Sequence, residues 1–590
     1  MKITEITTES EASALIEDLN RHLPFVVLDL ETTGLNPRVD KITDIVIGGV
    51  EEDTAHILRP SLTPTLANLR IPLVCHNFKF DFHFLSKVGI TPKLHADTML
   101  LDHLIDENIE HGLDAIVQRH FQDPYKAEFW GKYENYSDAP REDQVQYAGK
   151  DVIYTRKVFS TQMKEISAQN IPAELVQHVH DLALALYATE VRGLGLDLNY
   201  LNAMGIDLST KIVALKQQLR TELGTQILYL ENMQYLDELD KRKTDKGKAG
   251  VKRPEFNFDS PIQLSKLLYG RLKLPPQLNK ARKPTLDDKA LEALEPMHSS
   301  IATLREYRGH QKVFTAFIEA SLERMEAGRI YPSFNINGTV TGRISSSNPN
   351  MQQLPRDGGV RGIYVPDPGH LFVSADYSSL EVVLAAHLSQ DPSLLSVVFE
   401  GKSLHDITAE GLGIPRQLAK GVNFCVQYGG GPKKISQILN CSSFEAEAAF
   451  RKYWETYPGL AKFIAECHSK VENGEPLRTM YGRIRHFPAT FEDKWAMERA
   501  KRQAANSVIQ GLGADITSRA FYLTHKALKA KGLGYTVLPV HDEILIGAKK
   551  AHCEEASELL VSIMEGVGKE LKLTVPLKAE CGKPGERWSK

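Results

Sequence analysis

The sequence lacks the features that mark several specialised classes of protein. Six cysteines are scattered along 590 residues without a Cys-x-x-Cys pair, which argues against a zinc site or a disulfide framework and favours a reducing compartment. No apolar run approaches the roughly 20 residues of a membrane span, and the acidic start MKITEITTESE is unlike a signal peptide. No internal repeat stands out. We therefore expect a soluble, multidomain protein of the cytoplasm.

An excess of charge of one sign is also absent. The chain has 71 Lys and Arg against 75 Asp and Glu, a net charge of −4, which excludes a polycation that would bind partners through bulk charge. A local basic cleft is still possible, because a chain of this length can segregate its charges. The 42% hydrophobic and 25% charged residues are typical of globular proteins. The length indicates about four domains or subdomains.

Patterns along the chain predict alternating α/β structure first, with an apolar strand at 24–30, and then a mostly helical region at 165–325. Within that region, residues 241–253 hold seven basic residues and one acid. Such a run is usually a solvated loop, and the alternative is a tip that grips phosphates. From residue 331 we expect strands and Gly/Ser/Asn-rich loops, a strand at 371–375, helices over 403–515, and two strands around a turn at 541–543.

Acidic residues follow the first predicted strand. Asp29 and Glu31 are two residues apart at the end of this strand, so both side chains lie on one face, about 6.5 Å apart. Asp81 lies just inside a helical segment, and Tyr147 and Asp151 share a helix face at i and i+4. Alone, Asp29 and Glu31 could simply face water. Together, four acids and a tyrosine could bind two Mg²⁺ or Mn²⁺ ions and direct a water at a phosphodiester.

A second pair of acids lies in the carboxyl-terminal half. Asp376 follows a strand, and Asp542 lies in the predicted turn with His541 and Glu543. The two aspartates could bind metal if their strands are neighbours, which spacing cannot show. Alternatively, Asp376 could interact with a helix dipole, and a turn acid could face solvent. Glu381 could close a capping box with Ser378.

Between these acids, Arg416, Lys420, Phe424 and Tyr428 recur every four residues. Four residues per step on a helix give one slanted stripe, with Pro415 suited to the first turn and glycines from 429 ending the helix. This face offers two cations for a polyphosphate and aromatic planes for a base or sugar. Core packing would explain the aromatics but not the cations in line with them.

These motifs carry two resemblances. DLET (29–32), HNFKFD (76–81) and YAGKD (147–151) resemble the three motifs of DnaQ-like 3′→5′ proofreading exonucleases. The helix pattern R-x₃-K-x₃-F-x₃-YG resembles the nucleotide-binding helix of family A DNA polymerases. Further matches to that family are DYSSLE (376–381), VHDE (540–543), TGRISS (341–346), NPNMQQLP (348–355), SPIQL (260–264) and RQAANSVIQG (502–511). The resemblance covers almost the whole chain and is closest to the large fragment of bacterial DNA polymerase I, without a 5′ nuclease.

The resemblance implies a role for each matching residue. For the exonuclease it implies metal ligands at Asp29, Glu31, Asp81 and Asp151, a water-orienting Tyr147, and structural support from Asp97. For the polymerase it implies metal ligands at Asp376 and Asp542, with Glu543 accessory and Lys420 also catalytic. The implied nucleotide-binding residues are Arg416, Lys420, Phe424, Tyr428, Glu381 and His405. The implied DNA-binding residues are Arg343, Asn350, Gln353, Arg502, Asn506, Gln510, Lys241, Arg242 and Lys243.

The resemblance also implies the architecture and the partners. We expect an RNase H-like exonuclease domain at 1–165 and a right-hand polymerase with thumb at 166–330, palm at 331–400 and 515–590, and fingers at 401–514. Each site would take two Mg²⁺ ions, or Mn²⁺, and the substrates would be primer–template DNA and dNTPs. We expect a monomer from a bacterium or phage-infected cell, with an organellar origin and a processivity factor left open.

Two alternatives to an active proofreading polymerase are an exonuclease with an inactive polymerase module and a DNA-binding scaffold without activity. Retention of all the predicted ligands favours the active enzyme. The chain departs from the usual family motif at Ser379 and Val383, which leaves fidelity and rate undetermined but keeps the metal ligand and Glu381.

Overall fold

The computed structural model describes residues 1–48, 53–242, 251–279, 281–427, 429–488 and 490–588. Its amino-terminal part contains a mixed sheet of six strands: β1 (Lys2–Ile6), β2 (Val26–Thr32), β3 (Ile42–Gly48), β4 (Thr54–Leu58), β5 (Leu73–Cys75) and β6 (Leu94–Asp97). Their order is β1-β4-β3-β2-β5-β6, and β3 is antiparallel to both of its neighbours. The apolar residues of β2 are buried, which places its two acids at the strand end in the middle of the sheet.

Six helices accompany this sheet: α1 (Glu9–His22), α2 (Phe78–Lys87), α3 (Thr98–Ile105), α4 (Leu113–Phe121), α5 (Tyr125–Trp130) and α6 (Arg141–Ala168). The 28-residue α6 packs across β2, β3 and β4. It does so because apolar residues such as Val152 and Ile153 recur on its buried side. The same helix therefore brings Tyr147 and Asp151 to the strand that carries Asp29.

The following region is helical, as the sequence predicts, with α7 (Ala173–Arg192), α8 (Leu198–Asp240), α9 (Pro261–Ser265), α10 (Asp288–Leu294), α11 (Ser300–Val313) and α12 (Ala320–Arg324). The side chain of Asp197 caps the start of α8 by accepting from the Tyr200 amide at 2.9 Å. Leu215, Leu219 and Leu223 of α8 are buried at helical spacing in a cluster that also includes α11 residues. The long α8 is thus anchored on α11.

The remaining strands are β7 (Leu194–Leu196), β8 (Arg329–Ile330), β9 (Ser333–Asn335), β10 (Ser345–Ser347), β11 (Tyr364–Val365), β12 (His370–Tyr377), β13 (Leu477–Arg478), β14 (Ile484–Arg485), β15 (Gly534–Val540), β16 (Glu543–Lys549) and β17 (Ala579–Cys581). The main sheet is antiparallel in the order β15-β16-β12-β17. The sequence pattern predicts a turn at Glu543, and this prediction is wrong: Glu543 is the first residue of β16, paired with Asp376 of β12.

The later helices are α13 (Leu380–Ser389), α14 (Pro392–Glu400), α15 (Leu404–Leu412), α16 (Arg416–Gln427), α17 (Pro432–Leu439), α18 (Ser443–Thr456), α19 (Pro458–Glu472), α20 (Lys494–Lys531) and α21 (Cys553–Glu570). Helix α20 packs on β15 and α21 on β12. The 38 residues of α20 run through the predicted boundary at 514, so one rigid element belongs to both of the units that the sequence separates. No helix among the described residues is long and apolar enough to cross a membrane.

Ion pairs join the amino-terminal sheet domain to the rest of the chain. Glu107 accepts hydrogen bonds from Arg485 Nη1 at 2.6 Å and from the His486 amide at 2.7 Å. Burial alone would raise the pKa of Glu107, but hydrogen bonds from His486 and Arg485 lower it to about 2. Glu190 of α7 pairs with Lys79 of α2 at 2.7 Å and accepts from the Phe334 amide of β9 at 2.7 Å. These buried carboxylates fix the orientation of the two parts.

Asp391 joins two helix starts at once. Its Oδ1 accepts from the amides of Ser393 and Leu394, at 2.9 and 3.1 Å, at the start of α14. Its Oδ2 accepts from the amides of Gly459 and Leu460, at 2.7 and 3.2 Å, at the start of α19. The side chain is fully buried, so all four amides would lose their partner together if it were removed.

We therefore predict that Asp391→Ala lowers the free energy of unfolding by about 2–4 kcal/mol, through the loss of two helix caps and four hydrogen bonds to a buried carboxylate. Thermal unfolding followed by circular dichroism measures this change. Ser403→Ala is the matched control, because Ser403 caps only α15, through the Asp406 amide at 3.3 Å, and should cost about 1 kcal/mol. Equal losses for the two variants would contradict the double-cap interpretation.

Candidate active sites

Three acids meet at the end of β2. Asp29 and Glu31 lie on one face of the strand, and Asp151 reaches them from α6. One carboxylate oxygen of each lies within 4.8 Å of those of the other two. The local spacing predicted the first two residues to share a face, and α6 supplies the third because it packs across β2.

Asp81 enters the same region from the first turn of α2. Its Oδ1 accepts from the Leu30 amide at 3.1 Å, and its side chain is buried. Asp97 holds the start of α2 in place, since its carboxylate accepts from the amides of Asn77 and Phe78 at 3.2 and 2.7 Å. This agrees with the structural part that the sequence analysis gave Asp97.

Burial and mutual repulsion dominate the electrostatics of this site. Burial, followed by the charge of Asp151, raises the pKa of Asp29 to about 7. Burial and the neighbouring Asp29 also raise the pKa of Glu31 and of Asp81. Within the described residues, the buried Oε1 of Glu31 has no hydrogen-bond partner. Crowded carboxylates with an unpartnered buried oxygen fit a hard divalent cation.

Residues outside the three motifs complete the site. Lys126 Nζ lies 2.7 Å from Asp151 Oδ2 and 3.4 Å from the Tyr147 hydroxyl. The Tyr125 hydroxyl donates to Asp151 Oδ1 at 2.5 Å, and Trp130 Nε1 donates to the Tyr147 hydroxyl at 3.3 Å. Sequence reasoning missed these residues, because α5 carries no spacing pattern that ties it to the acids. The cluster of Tyr, Lys and Trp in a six-residue helix was the only signal available.

The second acidic site lies where β12 and β16 pair. Asp376 stands opposite Glu543, and the Tyr377 amide donates to the carbonyl oxygen of Asp542 at 3.2 Å. Spacing could not show whether the two strands are neighbours, and the structure shows that they are. Asp376 lies near the end of β12, and Asp542 lies in the turn just before the neighbouring β16. Burial is the main cause that raises the pKa of Asp542 to about 6. The charge of Asp376 raises it too, whereas Arg343 lowers it.

Glu543 has hydrogen-bond partners outside this acidic pair. Its carboxylate is fully buried, lies 2.9 Å from Arg361 Nη1, and accepts from Trp588 Nε1 at 3.1 Å. The guanidinium of Arg361 also lies 4.4 Å from the centre of the Trp588 ring. These contacts tie the carboxyl-terminal segment to β16 and give Glu543 a structural part. Its accessory catalytic role stays a prediction.

Glu381 does not close the capping box that the sequence left open as an alternative. Helix α13 begins after Ser379, which has φ of 52° and makes no side-chain cap. Glu381 instead pairs with Arg343 at 2.8 Å, while the Ser378 hydroxyl donates to Glu580. A tertiary ion pair thus takes the carboxylate that a local motif would have used.

Three of the nine predicted DNA-binding residues line a cleft beside Asp542. A cavity of about 250 Å³ is lined by Asp542 together with Arg343, Asn350 and Gln353. On α20, Arg502, Asn506 and Gln510 follow one another at intervals of four and so share a helix face. Asn506 lines a second cavity together with Glu381.

The predicted nucleotide-binding helix forms as α16. Arg416, Lys420 and Phe424 are exposed, and Phe424 is 49% accessible, so the aromatic is not a core residue. Asn423 on the buried side lies 3.0 Å from His405 Nδ1 through its amide nitrogen. Burial lowers the pKa of His405, and the charges of Arg416 and Lys420 lower it further. His405 therefore lies within the field of both cations.

Some predicted site residues either lie outside the described residues or form exposed ion pairs. Tyr428 and Lys243, with the rest of the basic run up to residue 250, lie outside the described residues. Lys241 is exposed at the end of α8 and pairs with Glu238 at 2.8 Å, and Arg416 pairs with Asp406 at 2.8 Å. Exposed pairs of this kind are weak, so both cations can exchange partners.

Comparison with known families decides between the classes of protein that such sites allow. The family model for DNA polymerase family A matches residues 229–590, and a 3′-5′ exonuclease model matches residues 3–167. The chain belongs to DNA polymerase family A. The predicted order, an exonuclease domain followed by a family A polymerase domain, is confirmed. The boundaries between thumb, palm and fingers stay predictions.

Relatives of this family A polymerase cover the whole chain. DNA polymerase I of Aquifex aeolicus is 30% identical over 100% of both sequences. DNA polymerase I of Borreliella burgdorferi is 27% identical over 100% of this chain and 64% of its own length, and that of Chloroflexus aurantiacus is 26% identical over 98% and 63%. The chain thus spans a little under two thirds of these two longer relatives.

A solved structure has the same fold. The polymerase domain of Pol1 from M. smegmatis, determined in complex with a DNA primer-template and dNTP, has a TM-score of 0.82 and 22% sequence identity. The match covers 99% of both chains. The similarity extends over the exonuclease-like sheet, the long helices and the strand pair that carries Asp376 and Asp542.

The raised carboxylate pKa values predict how the exonuclease site responds to pH. A carboxyl whose folded pKa exceeds its unfolded value stabilises the protein at low pH, and that stability is lost as pH rises through the folded pKa, about 7 for Asp29. A divalent cation offsets the loss by binding the ionised acids. Mg²⁺ should therefore raise the midpoint of thermal unfolding more at about pH 8 than at about pH 5.5.

The control is Asp29→Asn combined with Glu31→Gln, which removes two acids at nearly constant shape and should abolish most of this difference. Differential scanning fluorimetry with EDTA or MgCl₂ at each pH measures the midpoints. An equal Mg²⁺ effect at both pH values in the unmodified protein would contradict the prediction.

Proposed function

We propose that the protein is a template-directed DNA polymerase that adds dNTPs to a primer 3′-hydroxyl and proofreads with a 3′→5′ exonuclease. The observation that carries this proposal is the meeting of Asp376 and Asp542 on paired strand ends, in a chain that matches the family A polymerase model. The separate carboxylate cluster around Asp29 supports the second activity.

In the polymerase site, Asp376 and Asp542 would hold two Mg²⁺ ions. Bound ions of this kind lower the pKa of the primer hydroxyl and neutralise charge on the α-phosphate and the leaving pyrophosphate. Arg416 and Lys420, on the exposed face of α16, would bind the triphosphate, with His405 beside them.

The sugar and the DNA would contact other groups. Phe424, being exposed on the same face, would pack on the sugar. Glu381 would form, together with Tyr428, the pocket that excludes a ribose 2′-hydroxyl, and its contact with Arg343 would hold it in place. The DNA contacts of Arg343, Asn350 and Gln353 are supported by the cleft that they line with Asp542.

In the exonuclease site, Asp29, Glu31, Asp81 and Asp151 would hold two Mg²⁺ ions, with Mn²⁺ as an alternative. Tyr147 would orient the attacking water. The support is the crowding of the acids, the raised pKa values of Asp29 and Glu31, and the unpartnered oxygen of Glu31. Oxygen donors at this density suit hard cations.

We also propose primer–template DNA and dNTPs as the substrates, a monomer as the active form, and a cytoplasmic location. The substrates are supported by the family match and by the fold shared with the M. smegmatis Pol1 domain, which was solved with DNA and dNTP. The bacterial relatives support the location.

Primer extension on a recessed 3′ end tests both activities. With Mg²⁺ and dNTPs, Asp542→Ala should reduce extension by at least about 10³-fold, since a metal ligand is lost. Its exonuclease activity without dNTPs should remain. Asp29→Ala should show the reverse pattern, with extension retained and primer degradation lost. Extension by Asp542→Ala, or degradation by Asp29→Ala, would overturn the assignment, and loss of extension in the unmodified protein would favour an exonuclease with an inactive polymerase module.

Phe424 provides a test of the nucleotide helix. An exposed phenylalanine lacks the hydroxyl that tyrosine would place near the 3′ position of the sugar, so we expect the protein to discriminate against dideoxynucleotides. Phe424→Tyr should increase dideoxynucleotide incorporation relative to dNTPs, as measured by chain termination on a defined template. Phe444→Tyr is a control, because Phe444 is exposed on α18. Unchanged discrimination in Phe424→Tyr would show that Phe424 does not contact the sugar of the incoming nucleotide.

A further inference from the structure

Lys126 is a cation inside the exonuclease site that no motif assigns. It lies on α5, and its Nζ contacts Asp151 Oδ2 at 2.7 Å and the Tyr147 hydroxyl at 3.4 Å. Its side chain is only 22% exposed. A carboxylate at this distance favours the charged form of the ammonium. The ammonium is therefore charged beside the acids.

The contacts of Tyr147 determine whether its hydroxyl can donate or accept a further hydrogen bond. Its oxygen accepts from Lys126 Nζ and, on another side, from Trp130 Nε1 at 3.3 Å. The ring is stacked on Phe129 at 4.2 Å between centroids, so it has little freedom to turn away. A phenol oxygen has two acceptor positions. With both engaged by N–H groups, the O–H of Tyr147 can only donate.

Asp151 is held by the same helix. Lys126 binds its Oδ2, and the Tyr125 hydroxyl donates to its Oδ1 at 2.5 Å. Both contacts come from consecutive residues of α5, and both favour the ionised carboxylate, since a charged acceptor makes the stronger hydrogen bonds. Lys126 thus connects the metal-ligating Asp151 with Tyr147, one turn earlier on α6.

We propose that Lys126 is a positioning residue of the exonuclease reaction, which fixes Tyr147 as a hydrogen-bond donor to the attacking water and holds Asp151 in its ligand orientation. Tyr147 then orients the water through the water's oxygen and is not the base that removes its proton. This inference rests on the proposed exonuclease function.

Single-turnover degradation of a 3′-labelled primer tests the proposal with four single variants and one double variant. Lys126→Met keeps the length of the side chain and should lower the cleavage rate about 10- to 100-fold, while the concentration that gives half the maximal rate stays unchanged. Lys126→Arg retains the donor and should recover most of the rate. Tyr147→Phe should be slow, and adding Lys126→Met to it should cause little further loss, because the two residues act through one contact. Lys164→Met, an exposed lysine near the end of α6, is the control and should match the unmodified protein.

The outcomes separate this inference from the proposed function. No degradation by the unmodified protein overturns the exonuclease itself. If Lys126→Met degrades the primer as fast as the unmodified protein, only the role of Lys126 is overturned. Fully additive losses in the double variant would have the same consequence. Binding of Mn²⁺, followed by electron paramagnetic resonance, should weaken much less in Lys126→Met than the cleavage rate falls. A weakening as large as the rate loss would show that Lys126 acts through the metal ligands alone and would overturn its role at Tyr147.

Discussion

Repulsion among carboxylates that the fold brings together is the constraint on which both sites depend. At the end of β2, burial and neighbouring charges raise the pKa of Asp29 and of Glu31. The same causes raise that of Asp542 beside Asp376. Such groups stay together only where the backbone leaves them no alternative and where cations compensate them. Lys126 does this at the first site, and Arg343 lowers the pKa of Asp542 at the second.

The backbone that enforces this crowding is rigid in both cases. Strand pairing fixes Asp376 opposite Glu543, and the strand-spanning α6 fixes Asp151 over β2. Buried ion pairs then hold each scaffold in place, through Glu543 with Arg361 beside β16 and Glu107 with Arg485 between the domains. The nucleotide helix α16 differs, because its cations lie on an exposed face and can exchange partners. Acids fixed by the backbone suit a site that must hold metal. Exposed cations that can change partners suit the entry of a charged substrate.

The sequence predicts the features that follow from strand and helix periods, and it predicts few contacts between distant parts of the chain. The pairing of Asp29 with Glu31 and the face shared by Arg416, Lys420 and Phe424 follow from strand and helix periods, and the structure reproduces both. The approach of Asp376 to Asp542 depends on a strand ladder between residues far apart in the chain, which no spacing contains. Lys126 was missed for the same reason.

Competition between local and tertiary partners explains the remaining differences. Glu381 had a local partner in Ser378, yet it pairs with Arg343, since a charged partner offers a stronger hydrogen bond than a hydroxyl or an amide. Glu543 had a turn available, yet it begins β16, because Arg361 and Trp588 satisfy its buried carboxylate. In both cases a tertiary cation, and not the local sequence motif, determines where the carboxylate binds. For the same reason the net charge of −4 says little about DNA binding, since the positions of the charges, and not their sum, decide the function.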